Sequence, residues 1–121
     1  ERATVVMMGV SGLNRWARQH GYADVALALH AAVVAIDALV ATERSVEKIG
    51  ATGDGYCVVV GLPEAVACHA SVGCRFGHRA LQVLRANGKA AGTGDLESSP
   101  EAQHHPAWAS QALSLRAAVH T

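Results

Sequence analysis

The chain has 121 residues, half of them hydrophobic and only 4% aromatic, which suits one domain or part of one. Ten basic and ten acidic side chains cancel, so the composition excludes the large basic surface that nucleic-acid binding needs. The apolar stretch 25–41 contains His30 and Asp37 and is shorter than the roughly 20 residues of a membrane span. We therefore expect a soluble chain without membrane contact. Three cysteines without a CxxC spacing or a recognisable signal peptide predict reduced thiols and an intracellular, cytoplasmic location.

The N-terminal part of the chain predicts one strand followed by two helices. Residues 3–8 are an apolar run typical of a buried strand, and residues 13–20 predict a short helix that ends at Gly21. A long helix is predicted from about Asp24 to about Glu43. Its apolar residues recur at intervals of three and four and form one face for packing on a sheet: Val25, Leu29, Val33, Ile36 and Val40.

A β-hairpin is predicted next, with strands at 45–51 and 56–62 around a tight turn at 52–55. Gly and Asp are common in such turns because they tolerate positive φ. Asp54 is therefore either a turn residue only or a ligand held at the tip. Lys48 is either an exposed strand residue or a group that reaches phosphate. Pro63 ends the second strand because it cannot donate to a sheet hydrogen bond.

The C-terminal part predicts a helix at 69–86 that ends at Asn87 and Gly88. Residues 89–110 are rich in Gly, Ser, Ala and Pro and are predicted to be a loop insertion, before a last strand at 113–120. The resulting order is strand, two helices, hairpin, helix, loop, strand. That order indicates an α+β ferredoxin-like sandwich with an antiparallel sheet and helices on one face.

Four segments, in this order, carry a resemblance to a known family. They are VVMMGVSGLNRWA at 5–17, VEKIGATGDGYCVVVGLPEA at 46–65, HA at 69–70 and LSLRAAVHT at 113–121. Together they resemble the class III nucleotidyl cyclase homology domain of adenylyl and guanylyl cyclases, and the hairpin is the most specific of the four. The resemblance covers nearly the whole chain but only the N-terminal part of the family's domain. It implies that residues 1–121 are a partial cyclase homology domain within a larger multidomain protein.

The resemblance also implies the site residues. In the family a turn after the first strand cradles the triphosphate, and a plain strand-to-helix turn is the alternative explanation for the matching residues here: Val10, Ser11, Gly12, Leu13 and Asn14. Two Asp residues of the family hold two Mg²⁺ or Mn²⁺ ions. Asp54 matches the second of them, but Gly9 stands at the first, so we expect a single metal site at best. The purine-selecting position is Gly50, so the sequence does not distinguish ATP from GTP.

These losses favour a degenerate cyclase homology domain, a pseudoenzyme related to proteins of cyclic nucleotide biosynthesis and signal transduction. Family sites form between two domains, so the partner implied is another cyclase homology domain. The alternative is the active half of a heterodimeric cyclase that converts ATP or GTP to cAMP or cGMP and pyrophosphate. A third possibility is a ferredoxin-like binding module unrelated to cyclases. Whether the chain is an enzyme is therefore left open by its sequence.

Overall fold

The computed structural model describes residues 2–53, 55–90 and 114–121. The order of elements predicted from the sequence is confirmed in this part of the chain. The elements are β1 (Thr4–Ser11), α1 (Leu13–His20), α2 (Tyr22–Val40), β2 (Val46–Thr52), β3 (Gly55–Val60), α3 (His69–Ala90) and β4 (Ser114–His120).

The strands form one antiparallel sheet in the order β2-β3-β1-β4. Val6 at its centre pairs with Val58 of β3 on one side and with Val119 of β4 on the other. The pairing of β2 with β3 is interrupted by a bulge between Lys48 and Gly50. Strands β2 and β4 are the outer strands of the described sheet, so β1 and β3 lie in its interior.

The hydrophobic core lies between one face of the sheet and the helices, which confirms the predicted α+β sandwich. Successive strand residues point to opposite faces, and Val6, Val58 and Val60 are completely buried whereas Met7 is 61% exposed. Trp16 of α1 is buried, as its predicted packing role requires. The helices α2 and α3 supply the other side of the core through Val25, Ala28, Ala32, Ile36, Leu39, Val72, Phe76, Ala80 and Leu84.

Helix α2 is apolar on more than its buried face. A window of 18 residues within α2 has a mean hydropathy of 2.0, and 28% of the residues in that window are buried in the domain. By length and composition α2 alone among the described helices could cross a membrane. Apolar core helices meet the same two criteria, so these values do not assign α2 to a membrane.

Three predicted boundaries differ from the structure by three residues or more. Strand β1 continues past residue 8 to Ser11 because β4 pairs with it as far as Ser11. Helix α2 ends at Val40 rather than near Glu43, where the chain turns. Helix α3 passes through Gly88 to Ala90, since a glycine costs a helix only about 1 kcal/mol. The predicted loop 89–110 therefore begins too early, and its residues 91–110 lie outside the described part of the chain.

The end of the sheet away from the hairpin turn is fixed by the connection between β3 and α3. Gly61 has φ +92°, and a side chain there would lie 3.4 Å from both the carbonyl oxygen of Arg2 and Cβ of His69. Thr4 Oγ1 and His69 Nδ1 share a hydrogen bond of 2.7 Å. These contacts hold the beginning of α3 against the beginning of β1.

Candidate functional site

The opposite end of the sheet brings together the end of β1, the start of α1 and the hairpin turn. Because β1 and β3 are antiparallel, Gly9 near the end of β1 pairs with Gly55 at the beginning of β3. Gly12 then takes a left-handed conformation, with φ 91°, and directs the chain into α1. The predicted turn and the predicted hairpin tip are therefore neighbours in space.

The residues predicted to cradle phosphate line one cleft of about 480 Å³ beside this end of the sheet. Its lining also includes Tyr22 and Val25 of α2 and Gly53 of the hairpin. The volume lies within the range of small-molecule sites. The five residues that the sequence singles out are all in its lining: Val10, Ser11, Gly12, Leu13 and Asn14.

The start of α1 gives this cleft a positive electrostatic character. Trp16 donates the first helical hydrogen bond to the carbonyl oxygen of Gly12, at 3.0 Å. The N–H groups of the preceding residues have no acceptor within the helix, and the helix dipole places partial positive charge there. The first turn of α1 carries no acidic side chain. Such an arrangement favours an anion, and binding of phosphate in this cleft stays a prediction.

The end of the site where a metal is predicted offers few ligands among the described residues. Asp54, the predicted ligand, lies outside the described residues, between Gly53 and Gly55. Gly9, which pairs with Gly55, has no side chain. Among the described residues no group of three or more His, Cys, Asp or Glu side chains could hold a metal ion. A pair of divalent ions needs several carboxylate oxygens, so the described residues at this end of the sheet do not by themselves supply a two-metal centre.

Packing does not require a glycine at Gly50, the position predicted to match the family's purine selector. It pairs with Cys57 immediately after the bulge in β2, and its φ lies outside the left-handed region. A Cβ built on Gly50 would meet no atom within 4 Å. The fold therefore has room for a larger residue at this position, and the missing side chain is a property of the sequence alone.

A polar cluster that the sequence did not reveal lies on the helix side of the same hairpin. Asp37 of α2 accepts two hydrogen bonds from Lys48 Nζ, at 2.8 and 3.0 Å, and another from the Tyr56 hydroxyl. Lys48 Nζ also lies 5.0 Å from the centroid of the Tyr56 ring, a cation–π contact. Lys48 is thus held by Asp37 and is not the free phosphate-reaching group considered from the sequence. The sequence feature that could have indicated this cluster is Asp37 itself, an acidic residue within a largely apolar helix.

The Asp37 cluster shifts two pKa values. Hydrogen bonds from Lys48 and then Tyr56 lower the pKa of Asp37 because they favour its charged form. Burial, followed by the hydrogen bond to Asp37, raises the pKa of Tyr56 because both favour the neutral phenol. The cluster thus joins α2 to both strands of the hairpin.

A second, apolar cavity lies between the sheet and helices α2 and α3, and it contacts both Gly9 and Tyr56. Its volume is about 30 Å³, which suits an occupant no larger than a water molecule. We assign no ligand to it.

The whole chain, residues 1–121, matches the family model described as the adenylate and guanylate cyclase catalytic domain. No curated protein sequence matches it.

Three guanylyl cyclase structures are among the solved structures that share its fold. The guanylate cyclase domain of RhGC from Catenaria anguillulae, in complex with GTP, has a TM-score of 0.62 and 21% identity over 97% of this chain and 54% of that chain. The catalytic core of a rhodopsin-guanylyl cyclase with converted specificity, in complex with ATPαS, has a TM-score of 0.62 and 21% identity, over 97% of this chain and 55% of that chain. A non-canonical dimeric guanylyl cyclase domain of the RhoGC fusion protein from the aquatic fungus Blastocladiella emersonii has a TM-score of 0.61 and 19% identity, over 97% of this chain and 55% of that chain. At these identities the likeness shows the fold alone, and the chain spans about half the length of these domains.

Proposed function

This chain belongs to the adenylate and guanylate cyclase catalytic domain family, and we propose that it serves its protein as a dimerising, non-catalytic cyclase homology domain. The observation that carries the proposal is the pairing of Gly9 with Gly55. The first metal position lies beside the hairpin tip, where a carboxylate is needed, and has no side chain. Gly50 at the purine-selecting position lacks a side chain as well, although the fold has room for one.

The surface proposed for dimerisation is the open face of the sheet, opposite the helices. Met7 and Cys57 pair across β1 and β3, and Val5 and Val59 form the next pair on the same face. Met7 is 61% exposed, and Ile49 in the nearby bulge is 60% exposed. Exposed apolar side chains concentrated on one face favour association. The proposed partner is a second cyclase homology domain, identical or similar, within a larger multidomain protein.

The proposed location is cytoplasmic. All three cysteines lie in the described part of the chain and are free thiols, namely Cys57, Cys68 and Cys74. Two of them, Cys68 and Cys74, are exposed. Exposed free thiols persist in a reducing compartment.

The second candidate is the active half of a heterodimeric cyclase, and the cleft beside α1 favours it. That cleft has the volume of a small-molecule site and an anion-favouring wall. In this case the partner domain supplies the missing groups, and ATP or GTP occupies the cleft with a single Mg²⁺ or Mn²⁺ at Asp54.

Cyclase assays on the intact protein decide between the two. With Mn²⁺ and either ATP or GTP, we expect no cyclic nucleotide above background from the wild type or from Asp54→Ala. Wild-type activity that falls by orders of magnitude in Asp54→Ala would overturn the non-catalytic proposal and establish the second candidate.

Dimerisation is tested separately with Met7→Glu, which places a charge on the open face. We expect its dissociation constant, measured by sedimentation, to rise at least about tenfold, because burying a Met side chain is worth about 1.5–3 kcal/mol. Gln19→Glu on the exposed side of α1 adds the same charge away from the sheet and is the matched control. Equal dissociation constants for Met7→Glu and the wild type would remove the open face as the interface.

A further inference from the structure

Helix α2 carries an apolar surface on the side turned away from the sheet. Leu27 is 66% exposed and Val34 is 53% exposed, although both are large aliphatic side chains. We call the exposed residues on this side the outer stripe: Ala23, Leu27, His30, Ala31, Val34 and Ala38. They follow the spacing of three and four residues that places side chains on one helix face. Among the described residues, these side chains lack the packing that the opposite face of α2 receives.

The outer stripe has nearly the same pattern in both directions along the helix. Ala23 and Ala38 are equally far from the midpoint between His30 and Ala31, and so are Leu27 and Val34. Reversing the helix therefore places alanine on alanine and an aliphatic residue on an aliphatic residue. A surface that matches its own reverse meets the condition for a two-fold contact between identical chains.

We propose that the outer stripe binds a second copy of this chain, with the two α2 helices antiparallel. Leu27 of each chain packs on Val34 of the other, and the terminal alanines let the two helix ends approach closely. The outer stripe runs from Ala23 to Ala38, so the contact extends over about 22 Å. One helix pair buries less surface than a standard stable interface, so the contact is weak by itself.

Charge argues for a protein partner rather than a lipid surface. Tyr22–Val40 contains no Lys or Arg, and its charged residues are Asp24 and Asp37. Helices that lie on membranes are rich in Lys and Arg, which attract anionic headgroups. A membrane span is incompatible with the folded domain, because α2 buries Ile36 and Leu39 against the core.

The outer stripe and the open face of the sheet lie on opposite sides of the helix layer and the sheet. The two contacts therefore do not compete, and the stripe does not depend on the proposed function. One chain can engage one copy through the sheet and another through α2.

Sedimentation of the intact protein tests the stripe. In a Met7→Glu background, chosen to weaken the proposed sheet contact, we expect Leu27→Glu to raise the remaining dissociation constant at least about tenfold. Gln82→Glu, on the exposed side of α3, is the matched control and leaves the constant unchanged. Because Leu27 is largely exposed, Leu27→Glu does not threaten folding. A dissociation constant that Leu27→Glu leaves unchanged overturns the proposal.

Disulfide trapping tests the antiparallel register. With the three native cysteines replaced by alanine, mixing an Ala23→Cys chain with an Ala38→Cys chain is expected to yield a cross-linked dimer under mild oxidation. The Ala23→Cys chain alone yields little, because two copies of this position lie at opposite ends of the pair. Efficient self-cross-linking through Ala23→Cys indicates a parallel arrangement and contradicts the proposal. Flotation with vesicles of phosphatidylcholine and phosphatidylserine that Leu27→Glu abolishes would assign the stripe to lipid instead.

Discussion

The two faces of the β2–β3 hairpin differ sharply within a few residues. On the helix side, Lys48 and Tyr56 are both hydrogen-bonded to Asp37. On the open side, Gly50 and Gly55 occupy neighbouring positions of the same two strands without side chains. The helix side is what holds the hairpin to α2, whereas packing does not require Gly50 to be glycine. In this chain, the residues that hold the hairpin to α2 are therefore different from the positions that the resemblance assigns to chemistry.

The largest expected change comes from restoring a carboxylate on the open side. Gly9→Asp places an acidic side chain at the position that pairs with Gly55, the residue that follows Asp54 in the chain. We expect Mn²⁺ affinity, measured by calorimetric titration of the intact protein, to rise by roughly one to two orders of magnitude, because each added carboxylate strengthens a divalent-metal site.

Two control variants make the Gly9→Asp test specific. Gly9→Asn has the same size without the charge and is expected to gain nothing. Gly9→Asp combined with Asp54→Asn is expected to lose the gain. If the double variant binds Mn²⁺ as tightly as Gly9→Asp alone, Asp54 is not a ligand. The open side of the hairpin would then have no assigned metal-binding role.

On the helix side, Tyr56→Phe removes the hydroxyl that donates to Asp37. We expect the free energy of unfolding, measured with urea, to fall by about 1.5 kcal/mol, the lower part of the range for hydrogen bonds to charged groups, since Asp37 is partly exposed. Tyr22→Phe, at a tyrosine that is 79% exposed, is the control and should be neutral. Equal stability of the two variants would mean that the Asp37 cluster does not hold the hairpin.

The pH dependence of stability gives a smaller effect of the same cluster. The lowered pKa of Asp37 stabilises the fold above the ordinary carboxyl pKa, so this contribution is lost as pH falls below about 4. The raised pKa of Tyr56 stabilises the fold fully below about pH 10, and its contribution is lost as pH rises above that value. Unfolding across this range should show both losses in the wild type. Tyr56→Phe should lack the alkaline loss, and an unchanged alkaline loss would assign it to another group.

The smallest effect is expected at Gly50. Gly50→Lys and Gly50→Glu should change the free energy of unfolding by less than about 0.5 kcal/mol, because the added Cβ meets open space. Gly61→Ala is the contrasting control. Its φ of +92° and its close approach to Arg2 predict a loss of about 1–3 kcal/mol. A large loss at Gly50 would show that the fold, and not the absence of chemistry, requires glycine there.

Local patterns in the sequence were sufficient to predict the order and type of the helices and strands. Gly12 and Gly21 delimit α1 so clearly that its predicted ends match the structure, and the apolar spacing in α2 identifies the side that packs on the core. The predicted end of α3 at residue 86 was wrong because Asn87 and Gly88 are only local stop signals. The helix passes through them to Ala90.

The candidate site was only partly accessible from the sequence. The grouping of residues 10–14 follows from their adjacency in the chain, and the structure places them in one cleft. The Asp37 cluster was missed because Asp37, Lys48 and Tyr56 meet only when α2 is laid across the hairpin in a particular register. That register depends on tertiary packing, which no local pattern encodes.

The bulge in β2 has a consequence for how chains of this kind avoid uncontrolled aggregation. Strand β2 is an outer strand of the described sheet, and its backbone groups are available to pair with another extended chain. The bulge between Lys48 and Gly50 interrupts its regular hydrogen-bonding pattern, and the charged side chains of Glu47 and Lys48 are costly to bury in an added strand. Strand-to-strand growth into a continuous cross-β array is therefore disfavoured at this edge. Association is directed to side-chain surfaces, whose geometry limits the number of partners.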